Sequence, residues 1–131
     1  MTVERVVVDA STAVRASITD GWAPLAELRL VAPTLMWSEA AAGLRQLEVR
    51  TEISSAEAAA ALARLVGASV EPHESRDLLL DARALAVQRG WAKTYDAEYI
   101  ALARHLGARL LTIDARLARG AAGLAEVFDL S

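Results

Sequence analysis

Two short runs of chain, Val6-Val7-Val8 and Leu110-Leu111-Thr112-Ile113, each stop at an aspartate, Asp9 and Asp114. Runs apolar at nearly every position, without polar alternation, predict strands covered on both faces, as in a parallel sheet. The two aspartates then fall at the carboxyl ends of buried strands, where open α/β sheets hold their ligands. A carboxylate is costly there unless it is paired or coordinated.

The rest of the chain alternates strand and helix signals. Residues 5–9 read as the first strand and 10–18 as a weak helix. Asp20-Gly21 punctuates, and 22–28 reads as a short helix. A second strand, 30–32, is stopped by Pro33, and Thr34 is placed to cap a helix to about residue 47. Ser54 with Glu57 three residues on is a capping box opening a helix to about residue 66, with Gly67 as its C-terminal cap. A third strand, 68–71, ends at Pro72. Ser75 caps a helix over 76–89 closed by Gly90, and 95–106 is a helix closed by Gly107. The fourth strand is 109–113, a helical turn covers 115–118, and 126–130 is an edge strand. This alternation predicts an α/β fold, one domain over 1–131, with a mainly parallel central sheet and helices on both faces. In strand order 3-2-1-4-5 the order reverses between the first and fourth strands, which end in Asp9 and Asp114.

Two further acids border apolar helix faces. Asp96 leads a face made by Tyr99, Ile100, Ala103 and Leu106, and Glu39 lies within the stripe of Met36, Ala40, Gly43, Leu44 and Leu47. Gly43 costs about 1 kcal/mol of helix propensity relative to Ala, which suggests that something approaches this face closely. Each acid also has a plain structural reading. Asp9 and Asp96 can be helix caps, and Glu39 a solvated helix residue. If the four converge, their repulsion favours a hard divalent cation bound through oxygen, Mg²⁺ or Mn²⁺. Ser11 can orient Asp9 or simply start a helix. Thr112 can satisfy a backbone group or hydrogen-bond a ligating carboxylate.

Composition narrows the chemistry. No Cys is present, which excludes disulfides, zinc–thiolate sites and thiol nucleophiles. The first residues lack a signal-peptide layout, and no stretch reaches the ~18 apolar residues of a membrane span, so a cytoplasmic protein is expected, with no membrane partner. The net charge of −3 is carried by the four candidate acids; without them the chain is close to neutral. Arg15, Arg45, Lys93 and Arg116 are the basic residues whose chain positions place them near the acids, as RNA contacts or as ordinary solvated charges. His73 and His105 lie outside the acidic motifs and read as surface or structural residues. Trp37 reads as core, and Trp22, between Gly21 and Pro24, as an interface candidate.

Val6-Val7-Val8-Asp9-Ala10-Ser11, Pro33-Thr34-Leu35 followed by Glu39, Tyr95-Asp96-Ala97 with Ala101-Leu102-Ala103, and Leu110 through Leu117 together resemble the PIN-domain ribonucleases, most closely the VapC-type toxins. The resemblance runs from Arg5 to about Leu117. It implies a PIN fold and a Mg²⁺- or Mn²⁺-dependent endoribonuclease acting on cellular RNA. The family's acidic site falls on Asp9, Glu39, Asp96 and Asp114, with Ser11 and Thr112 at the supporting hydroxyl positions and no cofactor beyond metal. It also implies a homodimer and a cognate VapB-like antitoxin. Some members carry a further acid after the fourth motif; Leu117 and its neighbours offer none, so one ion or two is left open. A haloacid-dehalogenase-like or receiver-like Mg²⁺-binding domain is the rival. The first needs a second Asp where Ser11 stands, and the second a Lys late in the chain, where none follows Lys93.

Overall fold

Val7 sits between Val31 on one side and Leu110 on the other, in register and parallel to both. Val6, Val7 and Val8 are all fully buried. Because successive side chains of a strand point to opposite faces, full burial of three in a row requires that both faces of the sheet be covered. Each such Val side chain contributes roughly 1.5–3 kcal/mol by leaving water.

The computed structural model describes residues 3–128. Its elements in chain order are β1 (Arg5–Val8), α1 (Ala10–Ile18), β2 (Arg29–Pro33), α2 (Leu35–Val49), α3 (Ser55–Gly67), β3 (Val70–His73), α4 (Asp77–Arg89), α5 (Tyr95–Leu106), β4 (Arg109–Leu111), α6 (Ala115–Gly120) and β5 (Val127–Phe128). The five strands form one all-parallel sheet of order β3-β2-β1-β4-β5. Helices α1, α2 and α3 pack on one another, while α4 packs on α5, which lies across β1, β2 and β4. The order reverses between β1 and β4, as expected. Among the described residues, no helix is long and apolar enough to cross a membrane.

Several local expectations hold. The Ser54 hydroxyl accepts from the Glu57 N–H and the Glu57 carboxylate accepts from the Ser54 N–H, both at 3.0 Å, so the capping box is formed. Gly90 and Gly107 end α4 and α5 in the left-handed region, at φ 71° and 61°, which glycine adopts without a Cβ clash.

Others fail for identifiable reasons. Pro33 does end its strand, as the last residue of β2, whereas Pro72 does not, since β3 runs on to His73. Pro72 pairs with Ala32 within the edge strand β3, and Pro33 lies beyond the Val7–Val31 pair that ends the β1–β2 ladder, so neither missing N–H breaks a central hydrogen bond. Thr34 precedes α2 in helical geometry and its hydroxyl makes no cap bond. Ser75 does not cap α4. The Leu78 and Leu79 N–H groups donate instead to the carbonyls of Ser75 and Arg76, at 3.3 and 3.1 Å, in a tight lead-in turn. Gly67 is the last residue of α3, and the extended Ala68 ends the helix. The expected helix over 22–28 is a single 3₁₀ turn, Ala23–Leu25. β4 ends two residues short of Ile113. The edge strand expected over 126–130 is observed at Val127–Phe128, and residues 129 and 130 lie outside the described residues.

Candidate metal site

Asp9 leaves β1 in extended geometry and caps α1. Its carboxylate is buried, at 3 % exposure. Oδ1 accepts from the Thr12 N–H at 3.0 Å, and the Ser11 hydroxyl stands 2.9 and 2.8 Å from the two oxygens. Oδ2 accepts from the Thr112 hydroxyl at 2.6 Å. The cap is therefore real, and it does not use up the carboxylate: the two hydroxyls hold the second oxygen toward β4. Thr112 in turn accepts from the Asp114 N–H at 3.0 Å, so one hydroxyl ties the acid ending β1 to the backbone of the acid following β4.

Asp114 caps α6, with Oδ1 accepting from the Arg116 and Leu117 N–H groups at 2.9 and 3.3 Å. Asp96 is not a cap. The cap position of α5 is Thr94, and Asp96 sits in the first turn, where the helix dipole favours negative charge. Its partner is the Arg116 guanidinium, whose Nη2 lies 3.5 Å from Asp96 Oδ2 and 3.7 Å from Asp114 Oδ2. Glu39 accepts from the Tyr99 hydroxyl at 2.6 Å.

Electrostatics tie the four acids into one neighbourhood. Burial pushes the Glu39 carboxyl above its ordinary value; the Tyr99 hydrogen bond opposes this, and the charges of Asp96 and Asp9 add to it. Burial likewise raises Asp96, against the pull of Arg116, with Asp114 and Asp9 adding to the rise. Glu39 and Asp96 thus each feel two of the other acids. Among the described residues, however, no group of three or more His, Asp and Glu side chains is arranged to hold a metal ion. As the side chains stand, Asp9 and Glu39 accept from hydroxyls, and Asp96 and Asp114 lie against a guanidinium. The donor chemistry, carboxylate oxygens with no thiol or imidazole beside them, fits a hard cation.

Of the four cations placed near the acids from sequence, Arg116 is in contact with them. Arg45 pairs instead with Glu48 at 3.0 Å. Arg15 and Lys93 are exposed and, among the described residues, pair with none of the four acids. The close approach implied by Gly43 is that of α1: a Cβ there would lie 3.1 Å from Val14 Cγ2, so the glycine reports helix packing and not a ligand. Trp22 is half-buried against the core and donates to Ser17 Oγ at 3.1 Å; Trp37 packs on the core as expected. His73 and His105 face each other with ring centroids 5.7 Å apart.

Two residues at the site escaped sequence reasoning. Tyr99 is 2 % exposed, and a buried phenol needs a hydrogen-bond partner. Its place on the Asp96 face was the available signal. Glu98, raised by burial and then by the charge of Glu39, adds a further acid beside Glu39. Two residues from Asp96 on a helix, it reads as solvated, and only the meeting of Glu39 with the neighbouring Tyr99 reveals it.

The PIN domain family model matches residues 6–123. The chain is 37% identical over 114 residues to the VapC ribonuclease Mb0985 of Mycobacterium bovis, covering 86% of this chain and 87% of that protein, and matches ribonuclease VapC9 of Mycobacterium tuberculosis equally. Among solved structures, PAE2754 from Pyrobaculum aerophilum superposes with a TM-score of 0.74 at 28% identity, covering 97% of this chain and 91% of that one. VapC20 of Mycobacterium tuberculosis shares the fold, with a TM-score of 0.64 at 21% identity and 95% and 99% of the two chains covered. With the β3-β2-β1-β4-β5 sheet and the acids at its reversal point already placed, these matches fix the family: the chain belongs to the PIN-domain family and is a VapC-type member of it.

Proposed function

We propose that the chain is a Mg²⁺- or Mn²⁺-dependent endoribonuclease, the toxin of a toxin–antitoxin pair. The observation that carries this reading is the coupling of Asp9, Glu39, Asp96 and Asp114 at the reversal point of the sheet, with Ser11 and Thr112 bonded to Asp9. The identity to VapC ribonucleases over most of the chain supports it.

Asp9, Asp96 and Asp114 would hold the ion, with Glu39 at its side. When bound, such an ion lowers the pKa of water and neutralises charge on a phosphodiester. The protein's own part is positioning. Ser11 and Thr112 fix the Asp9 carboxylate, and Tyr99 fixes Glu39 Oε1, leaving the other Glu39 oxygen to orient the attacking water or take its proton. A carboxyl raised above its ordinary value is a better proton acceptor than a solvated one. No protein nucleophile is required.

The natural partners in this reading are RNA, a small cognate antitoxin covering the acids, and a second copy of the chain, all in the cytoplasm. Purified protein incubated with total RNA should yield discrete 5′-phosphate ends only with Mg²⁺ or Mn²⁺. Cleavage that persists undiminished in Asp9→Asn and Asp96→Asn would refute the assignment. A single-chain sedimentation mass at micromolar concentration would count against the dimer.

A further inference from the structure

Arg116 is bound twice to the same acid. Its backbone N–H donates to Asp114 Oδ1 at 2.9 Å, and its guanidinium reaches Asp114 Oδ2 at 3.7 Å. The same Nη2 lies 3.5 Å from Asp96 Oδ2, so one nitrogen spans carboxylates from α5 and from the start of α6. The backbone bond fixes where the side chain is rooted. The side-chain contacts are different in kind: both exceed hydrogen-bond length, and the Arg116 side chain is 75% exposed. Ion pairs of this sort are among the weakest electrostatic contacts in proteins.

We propose that Arg116 is a phosphate contact held in reserve: its guanidinium rests on Asp96 and Asp114, and a divalent cation binding those acids releases it onto the RNA backbone. This rests on the nuclease reading above, since it assigns the acids to a cation and the phosphate to RNA. The logic is competition. A divalent ion carries twice the charge of a guanidinium and seeks the same two oxygens. A guanidinium keeps its own proton, so at neutral pH its release calls for a rival cation. Once free, the planar fork suits a phosphate better than it suits the two carboxylates it now reaches edgewise. Because its root stays hydrogen-bonded to Asp114, the freed group remains within one side-chain length of the acids. Ion and RNA then favour each other's binding, and by linkage the coupling is reciprocal.

The test uses the full chain and reads binding, not turnover. With Mn²⁺ alone, titration calorimetry should show Arg116→Ala binding the ion roughly two- to tenfold tighter than the wild type, the range expected for losing weak competing pairs. Arg119→Ala removes the same charge from the same helix at an exposed position outside the site, and should change affinity much less. Arg116→Lys, which keeps the charge without the fork, should fall between. In parallel, anisotropy with a labelled phosphorothioate oligoribonucleotide, which resists cleavage, should show Arg116→Ala weakened only when Mn²⁺ is present, with the salt slope reduced by about 0.7. Equal Mn²⁺ affinity in wild type and Arg116→Ala, or a shift matched by Arg119→Ala, would overturn the competition. An RNA deficit equal with and without Mn²⁺ would make Arg116 a permanent contact and end the reserve role. Failure of the wild type to cut RNA at all would instead count against the nuclease reading, and leaves the Mn²⁺ comparison readable.

Discussion

The Thr112 hydroxyl donates to Asp9 Oδ2 at 2.6 Å across the reversal point of the sheet, joining residues 103 positions apart in the chain. It also accepts from the Asp114 N–H. A single hydroxyl therefore sets the relative placement of the acids that end β1 and follow β4, and it does so in a part-buried setting where each lost bond is costly.

Thr112→Val keeps the side-chain shape and removes both bonds. It should cost about 1 to 3 kcal/mol of stability in urea denaturation and reduce RNA cleavage. Ser11→Ala removes the other hydroxyl on the same carboxylate, so the double variant should depart from additivity by more than about 0.5 kcal/mol. Strictly additive losses would mean that the two hydroxyls act independently of each other.

Tyr99→Phe should push the Glu39 carboxyl still higher, because the Tyr99 hydrogen bond is the contribution that lowers it. The Glu39 side-chain carboxyl resonance, followed by NMR through a pH titration, reads this directly. A Glu39 titration identical in the two proteins would show that the 2.6 Å contact carries no weight.

Asp96 and Glu39 are raised above ordinary values of 3.8 and 4.5, in both cases chiefly by burial. The folded protein thus binds these protons more tightly than the unfolded chain does. Their contribution to stability is complete below the ordinary values and is lost as pH rises through the raised ones. In chelator, Asp96→Asn/Glu39→Gln should gain stability over the wild type progressively as pH rises above these ordinary values, seen as a widening gap in Tm. A gap that narrows with pH would reverse the sign of the argument.

Gly120→Ala should destabilise by about 1 to 3 kcal/mol, as overpacking does, because a Cβ there would collide with the six-membered ring of Trp91. Trp91→Leu should relieve much of that cost in the same background. Thermal unfolding of the single and double variants checks both statements.

The positions of Asp9 and Asp114 were legible because a polar residue ending an apolar run has few structural uses, and the order 3-2-1-4-5 then placed those two strand ends side by side. Helix ends were legible where a side chain has no competitor, as at Ser54 and at the left-handed Gly90 and Gly107. They were not legible at Thr34 and Ser75, where the backbone enters the helix already coiled and leaves the hydroxyl nothing to cap. Neither was the partner of each acid. Asp96 with Arg116, Glu39 with Tyr99 and Asp9 with Thr112 join residues 20 or more positions apart, across elements.

The sequence by itself determined the parallel sheet and which acids stand at its carboxyl edge, because hydrophobic periodicity and chain order are local properties. Only the tertiary structure decided that Arg116 meets the acids while Arg45 pairs with Glu48, that Glu98 stands beside Glu39, and that Gly43 answers to Val14. Those outcomes depend on how far one helix lies from another, and a side chain's charge and shape carry no record of that distance until the core has packed.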